Sequence, residues 1–248
     1  MSLTTFGLVG KNISYSFSRG YFKEKFEKMG LEDHQYVNFD LEEILLLKEI
    51  IEKKEKGLKG LNVTIPYKQE VQPFLTEIDE DAREIGAVNT IKLNNDGSAI
   101  GYNTDVYGFQ NSIQSLLKEH HTHALILGTG GASKAVAYAF KKLGISYKFV
   151  SRIGTQEKFS YEQLTEEILK EYTVLVNCSP LGTFPDIELK PNVPYQYLSE
   201  KHLLFDLIYN PSETTFLRLA REQGAVVKNG LQMLELQAEK SWEIWNNK

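Results

Sequence analysis

The segment LILGTGGASKAV, residues 125–136, constrains the fold of this chain more than any other stretch of it. The apolar run HALIL (123–127) predicts a buried strand, and apolar residues recur at helical spacing from Ala132 to Leu143. Glycines between such a strand and helix leave room for a pyrophosphate, which backbone N–H groups at the start of the helix can bind. The pattern therefore predicts a dinucleotide-binding turn, with an ordinary tight turn as the alternative. The candidate cofactor-binding residues of the turn are Gly128, Thr129, Gly130, Gly131 and Ala132.

Short apolar runs alternate with helical or loop stretches through the rest of the second half. Such alternation is typical of parallel strands with helices covering both faces of the sheet. We therefore predict an α/β domain over residues 106–231 with a Rossmann-like, doubly wound parallel sheet. The runs that predict its further strands are YKFV (147–150), TVLVN (173–177), LLFDLIY (203–209) and AVV (225–227).

The first half of the chain predicts a mixed α/β domain over residues 1–105. Its apolar runs alternate less regularly, and NNDG (94–97) between two of them is a hairpin turn signal. The predicted strands are FGLVG (6–10), YVNF (36–39), LNVTI (61–65), VNTIKL (88–93) and AIGY (99–102), and the predicted helices are 18–29, 41–56 and 104–119. A final helix, 232–248, is predicted by four apolar residues on one face, Leu234, Ala238, Trp242 and Trp245.

The composition is compatible with an ordinary globular enzyme. The 248 residues carry a net charge of −5, and the basic run KKEKGLK (53–59) predicts a solvated helix surface rather than a nucleic-acid patch. The single cysteine, Cys178, excludes an internal disulfide framework, and the histidines lack the spacing of metal ligands. The amino terminus lacks a signal-peptide pattern, and nowhere do 18 apolar residues run together. We expect a soluble, cytoplasmic protein that binds no metal, nucleic acid or membrane.

The strand after the glycine loop favours NADP over NAD. An NAD site usually carries an acidic residue about 20 positions past the loop, where it accepts hydrogen bonds from the ribose 2′-hydroxyl. Here the strand KFV ends in Ser151 and Arg152. A guanidinium at this position matches a 2′-phosphate in charge and geometry, and the serine can donate a further hydrogen bond. The alternative is that Arg152 is a surface arginine after a strand.

Five polar clusters elsewhere in the chain combine with the glycine loop into an ordered set of motifs. They are SYSFS (14–18), NVTIPYK (62–68), GAVNT (86–90), GYNTD (101–105) and NGLQMLELQA (229–238). Together with GTGGAS, these segments resemble the motifs of the shikimate dehydrogenase family, in the same order and over nearly the whole chain. The resemblance implies NADP-dependent, reversible reduction of 3-dehydroshikimate to shikimate, on the route to chorismate and the aromatic amino acids.

The resemblance also implies roles for individual residues. Lys68 and Asp105 match the catalytic pair of the family. Contacts to the substrate are implied for Ser16, Ser18, Asn62, Thr64, Asn89, Tyr209 and Gln237. Contacts to the cofactor are implied for Ser151, Arg152, Leu207, Gly230 and Met233. Because Gln237 would reach a substrate otherwise held by residues before 106, the resemblance implies that the last helix packs back on the first domain.

Three positions depart from the family pattern. Arg19 stands where the family usually has proline, and Ile153 where it has threonine. Gln156 stands where a second arginine often contacts the 2′-phosphate. The expected phosphate site around Arg152 therefore has fewer side chains to bind the 2′-phosphate than is usual in the family.

The chemistry of this substrate explains the polar face of NVTIPYK. The substrate carries a carboxylate, two hydroxyls and a ketone, so its site must place hydrogen-bond donors at fixed positions. Asn62 and Thr64 are predicted to point the same way, because residues i and i+2 of a strand share a face. Lys68, in a turn after Pro66, would stabilise the developing alkoxide and donate a proton, with Asp105 holding the ammonium group. Taken alone, Lys68 has the alternative interpretation of a surface lysine.

Two alternative functions remain open at this stage. The first is a quinate/shikimate dehydrogenase that uses NAD or NADP, since a pocket that can hydrogen-bond an extra hydroxyl discriminates against it only modestly. The second is a catalytically silent, dinucleotide-binding regulator, against which the presence of both Lys68 and Asp105 argues. The expected partner is a small molecule, and the sequence leaves open whether the protein is a monomer or a homodimer.

Overall fold

The computed structural model describes residues 3–14, 16–52 and 57–247. The chain forms two compact units, one of Met1–Thr104 with Ala238–Lys248 and one of Asp105–Gln237. It passes from the first unit to the second at residue 105 and returns at residue 238, inside its last helix. The predicted domain limits, and the assignment of the substrate to one domain and the cofactor to the other, stay predictions.

Six strands and three helices of the described residues form the body of the first unit. The strands are β1 (Thr4–Gly10), β2 (His34–Asp40), β3 (Leu58–Val63), β4 (Glu77–Ile78), β5 (Thr90–Leu93) and β6 (Ala99–Tyr102). The helices are α1 (Phe17–Met29), α2 (Leu46–Glu52) and α3 (Glu80–Ile85).

The strands of the first unit form one mixed sheet in the order β2-β1-β3-β5-β6-β4. β2, β1 and β3 run parallel, whereas β5 pairs antiparallel with both β3 and β6. The hairpin between β5 and β6 turns at residues 94–98, where Gly97 has a φ of +95°, so the predicted NNDG turn is confirmed. Neighbouring residues of β1 pack on opposite faces of the sheet, Leu8 with Phe22 and Val9 with Leu61.

The second unit contains the remaining strands and helices of the described chain. Its strands are β7 (His123–Leu127), β8 (Ser146–Ser151), β9 (Lys158–Ser160), β10 (Val174–Asn177), β11 (Leu203–Asp206) and β12 (Val226–Lys228). Its helices are α4 (Asp105–Ile113), α5 (Gly131–Leu143), α6 (Glu166–Glu171), α7 (Thr215–Glu222) and the first part of α8 (Leu231–Asn246).

The sheet of the second unit is entirely parallel, in the order β12-β11-β10-β7-β8-β9. This is the doubly wound strand order of dinucleotide-binding folds. The first three strands extend the sheet to one side of β7, and the last three extend it to the other side, starting with β10. Gly128 follows β7, and a Cβ atom on it would lie 3.3 Å from the carbonyl carbon of Cys178, which follows β10. The predicted Rossmann-like sheet is confirmed, and Gly128 and Cys178 meet at the carboxyl end of these two strands.

Two predicted helix boundaries are wrong. α2 begins at Leu46 rather than at residue 41, because residues 42–45 form bends and turns, and residues 53–56 lie outside the described part of the chain. α4 ends at Ile113 rather than at residue 119, and a 3₁₀ turn, Gln114–Leu116, follows it. The helices at α3, α6 and α7 were not individually predicted, because their short apolar patterns are not distinct from those of loops.

Some predicted strands are too long. β3 stops at Val63, so Thr64 lies beyond the strand that was expected to include it. The run VNTIKL joins the sheet only at Thr90, and LLFDLIY leaves it after Asp206. The basic run 53–59 is not a helix surface throughout, since its last two residues begin β3. These strands end where side-chain and loop hydrogen bonds replace the ladder.

The last part of α8 belongs to the hydrophobic core of the first unit. Trp242 and Trp245 pack edge-on and stacked, respectively, against Phe6 of β1. The indole N–H of Trp245 donates to the Ile91 carbonyl at 3.0 Å. A Cβ atom at Gly60 would lie 2.3 Å from the indole ring of Trp245, so this strand residue must lack a side chain for the helix to approach.

Candidate active site

A buried chain of hydrogen bonds begins at Asn62 in the first unit. Asn62 lies on β3 and is 6% exposed, and its amide oxygen accepts a hydrogen bond from the Tyr36 hydroxyl at 2.8 Å. Tyr36, on β2, is also hydrogen-bonded to Ser18 of α1. Burial raises the pKa of Tyr36, so the phenol stays protonated and its O–H donates the hydrogen bond to Asn62. Two predicted substrate residues, Ser18 and Asn62, are thus joined through a tyrosine.

The amide nitrogen of Asn62 faces three oxygens inside the same unit. They are the carbonyl of Asn89 at 3.3 Å, the hydroxyl of Thr90 at 3.2 Å and the hydroxyl of Ser241 at 2.9 Å. The Ser241 hydroxyl, on α8, also lies 2.8 Å from that of Thr90 and 3.2 Å from that of Thr104. Since protein groups engage both polar atoms of Asn62, its direct contact with substrate stays a prediction.

Asn89 lies at the end of this network, next to the backbone of Lys68. The Asn89 side chain is 2% exposed, accepts from the Thr104 amide at 2.7 Å and donates to the Thr104 hydroxyl at 3.1 Å. The residue before it, Val88, donates its amide to the Lys68 carbonyl at 2.7 Å. The half-buried Lys68 follows Tyr67, which is buried and fixed through its hydroxyl. The structure therefore holds the backbone of Lys68 against Val88, the residue before Asn89.

Thr64 and Ser16 stand at the carboxyl end of β1. The Thr64 amide donates to the Val9 carbonyl at 2.9 Å, and a Cβ at Gly10 would lie 2.6 Å from the Thr64 methyl group. Ser16 is the residue that precedes α1, and its hydroxyl is buried with no hydrogen-bond partner among the described residues. A buried hydroxyl normally has a partner. Its free donor is therefore consistent with the predicted contact to a substrate carboxylate.

The glycine loop of the second unit has the geometry of a phosphate site. Gly128 has a φ of +110°, which favours glycine, and Gly131 begins α5. A Cβ atom at Gly130 or Gly131 would have no heavy atom within 4 Å, so open space lies beside the helix start. Ser133 stands where the dinucleotide-binding pattern GxGxxG has its third glycine. It is buried, and its hydroxyl donates to the Gly130 carbonyl at 2.6 Å. The serine therefore stabilises the loop without closing it.

Arg152 is free to bind an anion at the end of β8. Its side chain is exposed and forms no ion pair with any residue in the described ranges. The neighbouring Ser151 donates its hydroxyl to the Ile153 carbonyl at 2.7 Å, which shapes the turn after the strand. A bound 2′-phosphate would compete for the same hydroxyl, so this contact of Ser151 stays a prediction.

Leu207 and Gly230, both predicted near the nicotinamide, are in direct contact. A Cβ atom at Gly230 would lie 2.1 Å from the carbonyl oxygen of Leu207, and the Gly230 amide donates to the Ile208 carbonyl at 3.1 Å. Gly230 immediately precedes α8, whose buried Met233 follows three residues later. The half-buried Tyr209 continues the segment that begins with Leu207. The structure therefore brings three of the predicted cofactor residues into one region of the second unit.

Asp105 and Gln237 lie on two contacting helices of the second unit. Asp105 is the first residue of α4 and is 6% exposed. One turn later, a Cβ atom at Gly108 would lie 2.5 Å from the Met233 carbonyl oxygen and 3.1 Å from the Cβ of Gln237. Residues three apart share a helix face, so Asp105 is on the side of α4 that approaches α8. Lys68, its predicted catalytic partner, belongs to the first unit.

Sequence reasoning missed four members of the polar network, namely Tyr36, Thr90, Thr104 and Ser241. Two of them could have been predicted from the sequence, because Thr90 lies in the motif GAVNT and Thr104 in the motif GYNTD. Ser241 follows Ala238 by three positions and therefore shares the apolar face of α8, where a serine needs a partner. Tyr36 gave no such signal, because tyrosine is common in strands.

Neither a metal centre nor a membrane span is found in the part of the chain that the structure describes. Among residues 3–14, 16–52 and 57–247, no three His, Cys, Asp or Glu side chains are grouped so that they could hold a metal ion. Within the same ranges, no helix combines the length and the apolar character that a membrane crossing requires.

Known proteins match this chain over almost its entire length. A model of the shikimate dehydrogenase substrate binding domain matches residues 8–91. A shikimate dehydrogenase (NADP(+)) from Methanosphaera stadtmanae is 35% identical, and the match covers 98% of this chain and 91% of that protein. The chain belongs to the shikimate dehydrogenase family.

Solved structures of this family have the same fold. The crystal structure of shikimate dehydrogenase 1 from Peptoclostridium difficile is 37% identical, with a TM-score of 0.83 over 98% of this chain and 91% of that one. Shikimate 5-dehydrogenase from Thermus thermophilus, in complex with NADP(H) and shikimate, is 28% identical, with a TM-score of 0.86 over 98% of this chain and 94% of that one. The two sheets described above are therefore those of the family.

Proposed function

We propose that this protein catalyses the reversible, NADP-dependent reduction of 3-dehydroshikimate to shikimate, with Lys68 and Asp105 as its catalytic pair. The observation that carries the proposal is the 35% identity with a shikimate dehydrogenase (NADP(+)) over 98% of the chain, which includes both compact units. The assignment also agrees with the order of all six motifs along the sequence.

The residues of the second unit fit NADP. Open space beside Gly130 and Gly131 at the start of α5 leaves room for a pyrophosphate, which the helix N-terminus would bind. The end of β8 carries no acidic side chain that would repel a 2′-phosphate, and the exposed Arg152 matches its charge. When bound, NADPH supplies the hydride that reduces the ketone. Leu207, Gly230 and Met233 would hold its nicotinamide end.

The residues of the first unit would bind and orient the substrate. Ser16 and Ser18 would donate to the carboxylate, for which the buried Ser16 hydroxyl has a free donor. Thr64 and Asn89 would contact the hydroxyls, on a polar interior that Asn62 holds in place. Tyr209 and Gln237 would add contacts from the second unit. The hydrogen bonds that fix Asn62 and Asn89 mean that this part of the site needs little reorganisation on binding.

Lys68 would carry the proton chemistry. Its ammonium group would stabilise the negative charge that develops on the ketone oxygen and then donate a proton to it. Asp105 would bind a substrate hydroxyl and keep the ammonium group oriented. In the direction of shikimate oxidation, a neutral Lys68 would accept the hydroxyl proton.

A direct test follows the absorbance of reduced nicotinamide with the purified full chain. Shikimate and quinate are each offered with NADP and with NAD, at equal concentrations. We expect shikimate with NADP to give the highest kcat/KM. Absence of shikimate oxidation with either cofactor would overturn the proposal, and NADP binding without turnover would indicate the silent regulator instead. A higher kcat/KM for quinate with NAD would replace the proposal with a quinate/shikimate dehydrogenase.

A further inference from the structure

Asp206 is a buried carboxylate of the second unit that belongs to none of the recognised motifs. It ends β11, is 0% exposed and accepts three hydrogen bonds. One oxygen accepts from the Asn177 side chain and from the Ile208 amide, each at 3.0 Å, and the other accepts from the Thr214 hydroxyl at 2.6 Å. No cation in the described ranges forms an ion pair with it.

The three donors come from three different parts of the second unit. Asn177 ends β10, Ile208 lies in the loop after β11, and Thr214 is the residue that caps α7. Asp206 therefore joins the carboxyl end of a neighbouring strand to both ends of the segment 207–214. This segment begins with Leu207, against whose carbonyl Gly230 is packed, and continues with Tyr209.

Keeping a carboxylate at this position is costly. Burial raises the pKa of Asp206 to about 6, and the hydrogen bonds from Thr214, Ile208 and Asn177 offset only part of that effect. A buried charge without a cation contributes little to stability by itself. The carboxylate instead fixes the positions of three segments, because its two oxygens accept hydrogen bonds from a donor on each of them.

We propose that Asp206 is a positioning residue for the nicotinamide end of the cofactor site, because its hydrogen bonds fix the segment 207–214 that carries Leu207 and Tyr209. This inference rests on the proposed function, which assigns Leu207 to the cofactor and Tyr209 to the substrate. Asp206 itself acts through the segment and touches neither ligand.

Three variants separate this role from general stability. Asp206→Ala removes all three hydrogen bonds. Asp206→Asn keeps the oxygen that Asn177 and Ile208 contact, and its amide can donate to the Thr214 hydroxyl, which can also accept. The matched control is Glu213→Gln, on the same segment, which removes an exposed ion pair with Arg221 and leaves the buried network intact.

The readout is the affinity for two ligands that share the adenine end. NADP carries the nicotinamide, whereas adenosine 2′,5′-bisphosphate lacks it. We expect Asp206→Ala to weaken NADP by roughly tenfold, equivalent to about 1.4 kcal/mol, and to leave the bisphosphate within about twofold. Asp206→Asn and Glu213→Gln should both bind NADP within about threefold of the wild type. The kcat for shikimate should fall in the Ala variant and recover in the Asn variant.

Two results would overturn the inference. Equal weakening of both ligands by Asp206→Ala would show that the residue supports the whole unit, and an Asn variant as impaired as the Ala variant would show that charge matters rather than geometry. If Asp206→Ala does not fold, Thr214→Val removes the 2.6 Å hydrogen bond to Asp206 together with the 3.4 Å hydrogen bond from the Leu217 amide, leaves the other two hydrogen bonds of Asp206 in place, and should show the same selectivity at smaller amplitude.

Amide hydrogen exchange tests the same role without any ligand. In Asp206→Ala, the amides of residues 207–214 should exchange at least tenfold faster, while those of β7 should stay unchanged. Unchanged exchange in the segment would refute the positioning role even if the protein proves to be a shikimate dehydrogenase. Conversely, faster exchange in a protein that does not oxidise shikimate would uphold the positioning and refute the proposed function.

Discussion

The side-chain amide of Asn62 donates a 2.9 Å hydrogen bond to the hydroxyl of Ser241, which lies 179 positions further along the chain. Both side chains are buried, at 6% and 0% exposure. The bond joins β3, whose last two residues begin the motif NVTIPYK, to the last helix. The carboxyl-terminal residues are therefore part of the polar interior of the first unit and not an appendage to it.

Replacing Ser241 with alanine should destabilise the protein and weaken shikimate binding. The substitution leaves the buried Asn62 amide and the Thr90 hydroxyl each short of one partner, at a cost of about 1–3 kcal/mol. Urea unfolding measures the loss of stability, and steady-state kinetics should show a raised KM for shikimate with an unchanged KM for NADP. Ser115→Ala, at an exposed position, is the control. A Ser241 variant as stable as this control would contradict the network's role.

Gly230→Ala should impair cofactor binding, since a Cβ atom there would lie 2.1 Å from the Leu207 carbonyl oxygen. The backbone must move to relieve the clash, and overpacking of this kind typically costs about 1–3 kcal/mol. Isothermal titration with NADP measures the effect. Gly20→Ala is the matched control, because a Cβ there meets nothing within 4 Å and alanine should stabilise α1 by about 0.5–1 kcal/mol. Equal NADP affinity in both variants would exclude a tight contact at Gly230.

Lys68→Ala should lower kcat by roughly 10²–10⁴-fold, the usual effect of removing a positioned acid–base group. NADP affinity should stay nearly constant, because the lysine belongs to the first unit whereas the glycine loop belongs to the second. Lys48→Ala, which removes an exposed lysine paired with Glu52, should keep full turnover. Wild-type kcat in the Lys68 variant would show that another group supplies the proton.

Arg152→Ala tests how the protein recognises the 2′-phosphate. A hydrogen bond to a charged group contributes about 1.5–3 kcal/mol, so the variant should lose that much NADP affinity and little affinity for NAD. The control is Arg218→Ala, which removes an exposed arginine of the same unit paired with Glu222. Binding of both cofactors is measured by titration. Equal losses for NADP and NAD would mean that Arg152 supports the loop and does not read the phosphate.

Asp206 should give the protein a distinctive dependence of stability on pH. Because burial raises its pKa from 3.8 to about 6, the folded protein retains a proton that the unfolded chain has already released at intermediate pH. The stabilisation is complete at low pH and is lost as the pH rises through about 6. Relative to Asp206→Asn, the wild-type free energy of unfolding should fall by roughly 3 kcal/mol between about pH 4 and 7. Urea unfolding of both proteins across this range measures the difference, and a flat or rising difference would contradict the buried carboxylate.

The sequence by itself determined the local parts of this protein. HALIL, the three glycines and the apolar stripe up to Leu143 predicted the β7–α5 unit, and α5 ends at Leu143, before Gly144 with a φ of +70°. NNDG predicted the hairpin between β5 and β6. These features depend on hydrogen bonds and steric limits among residues close in sequence, so a short pattern is enough to specify them.

Only the tertiary structure decided which distant residues meet. Nothing local to Asn62 indicates that Tyr36 and Ser241 are its partners, and nothing local to Asp206 indicates Asn177 and Thr214. Strand ends were also decided there, since Thr64 leaves β3 to fit beside Gly10. A buried polar group needs a partner, but its own sequence neighbourhood does not say which segment will supply it. That choice follows from the packing of the sheets and helices, which brings residues distant in sequence within hydrogen-bond distance.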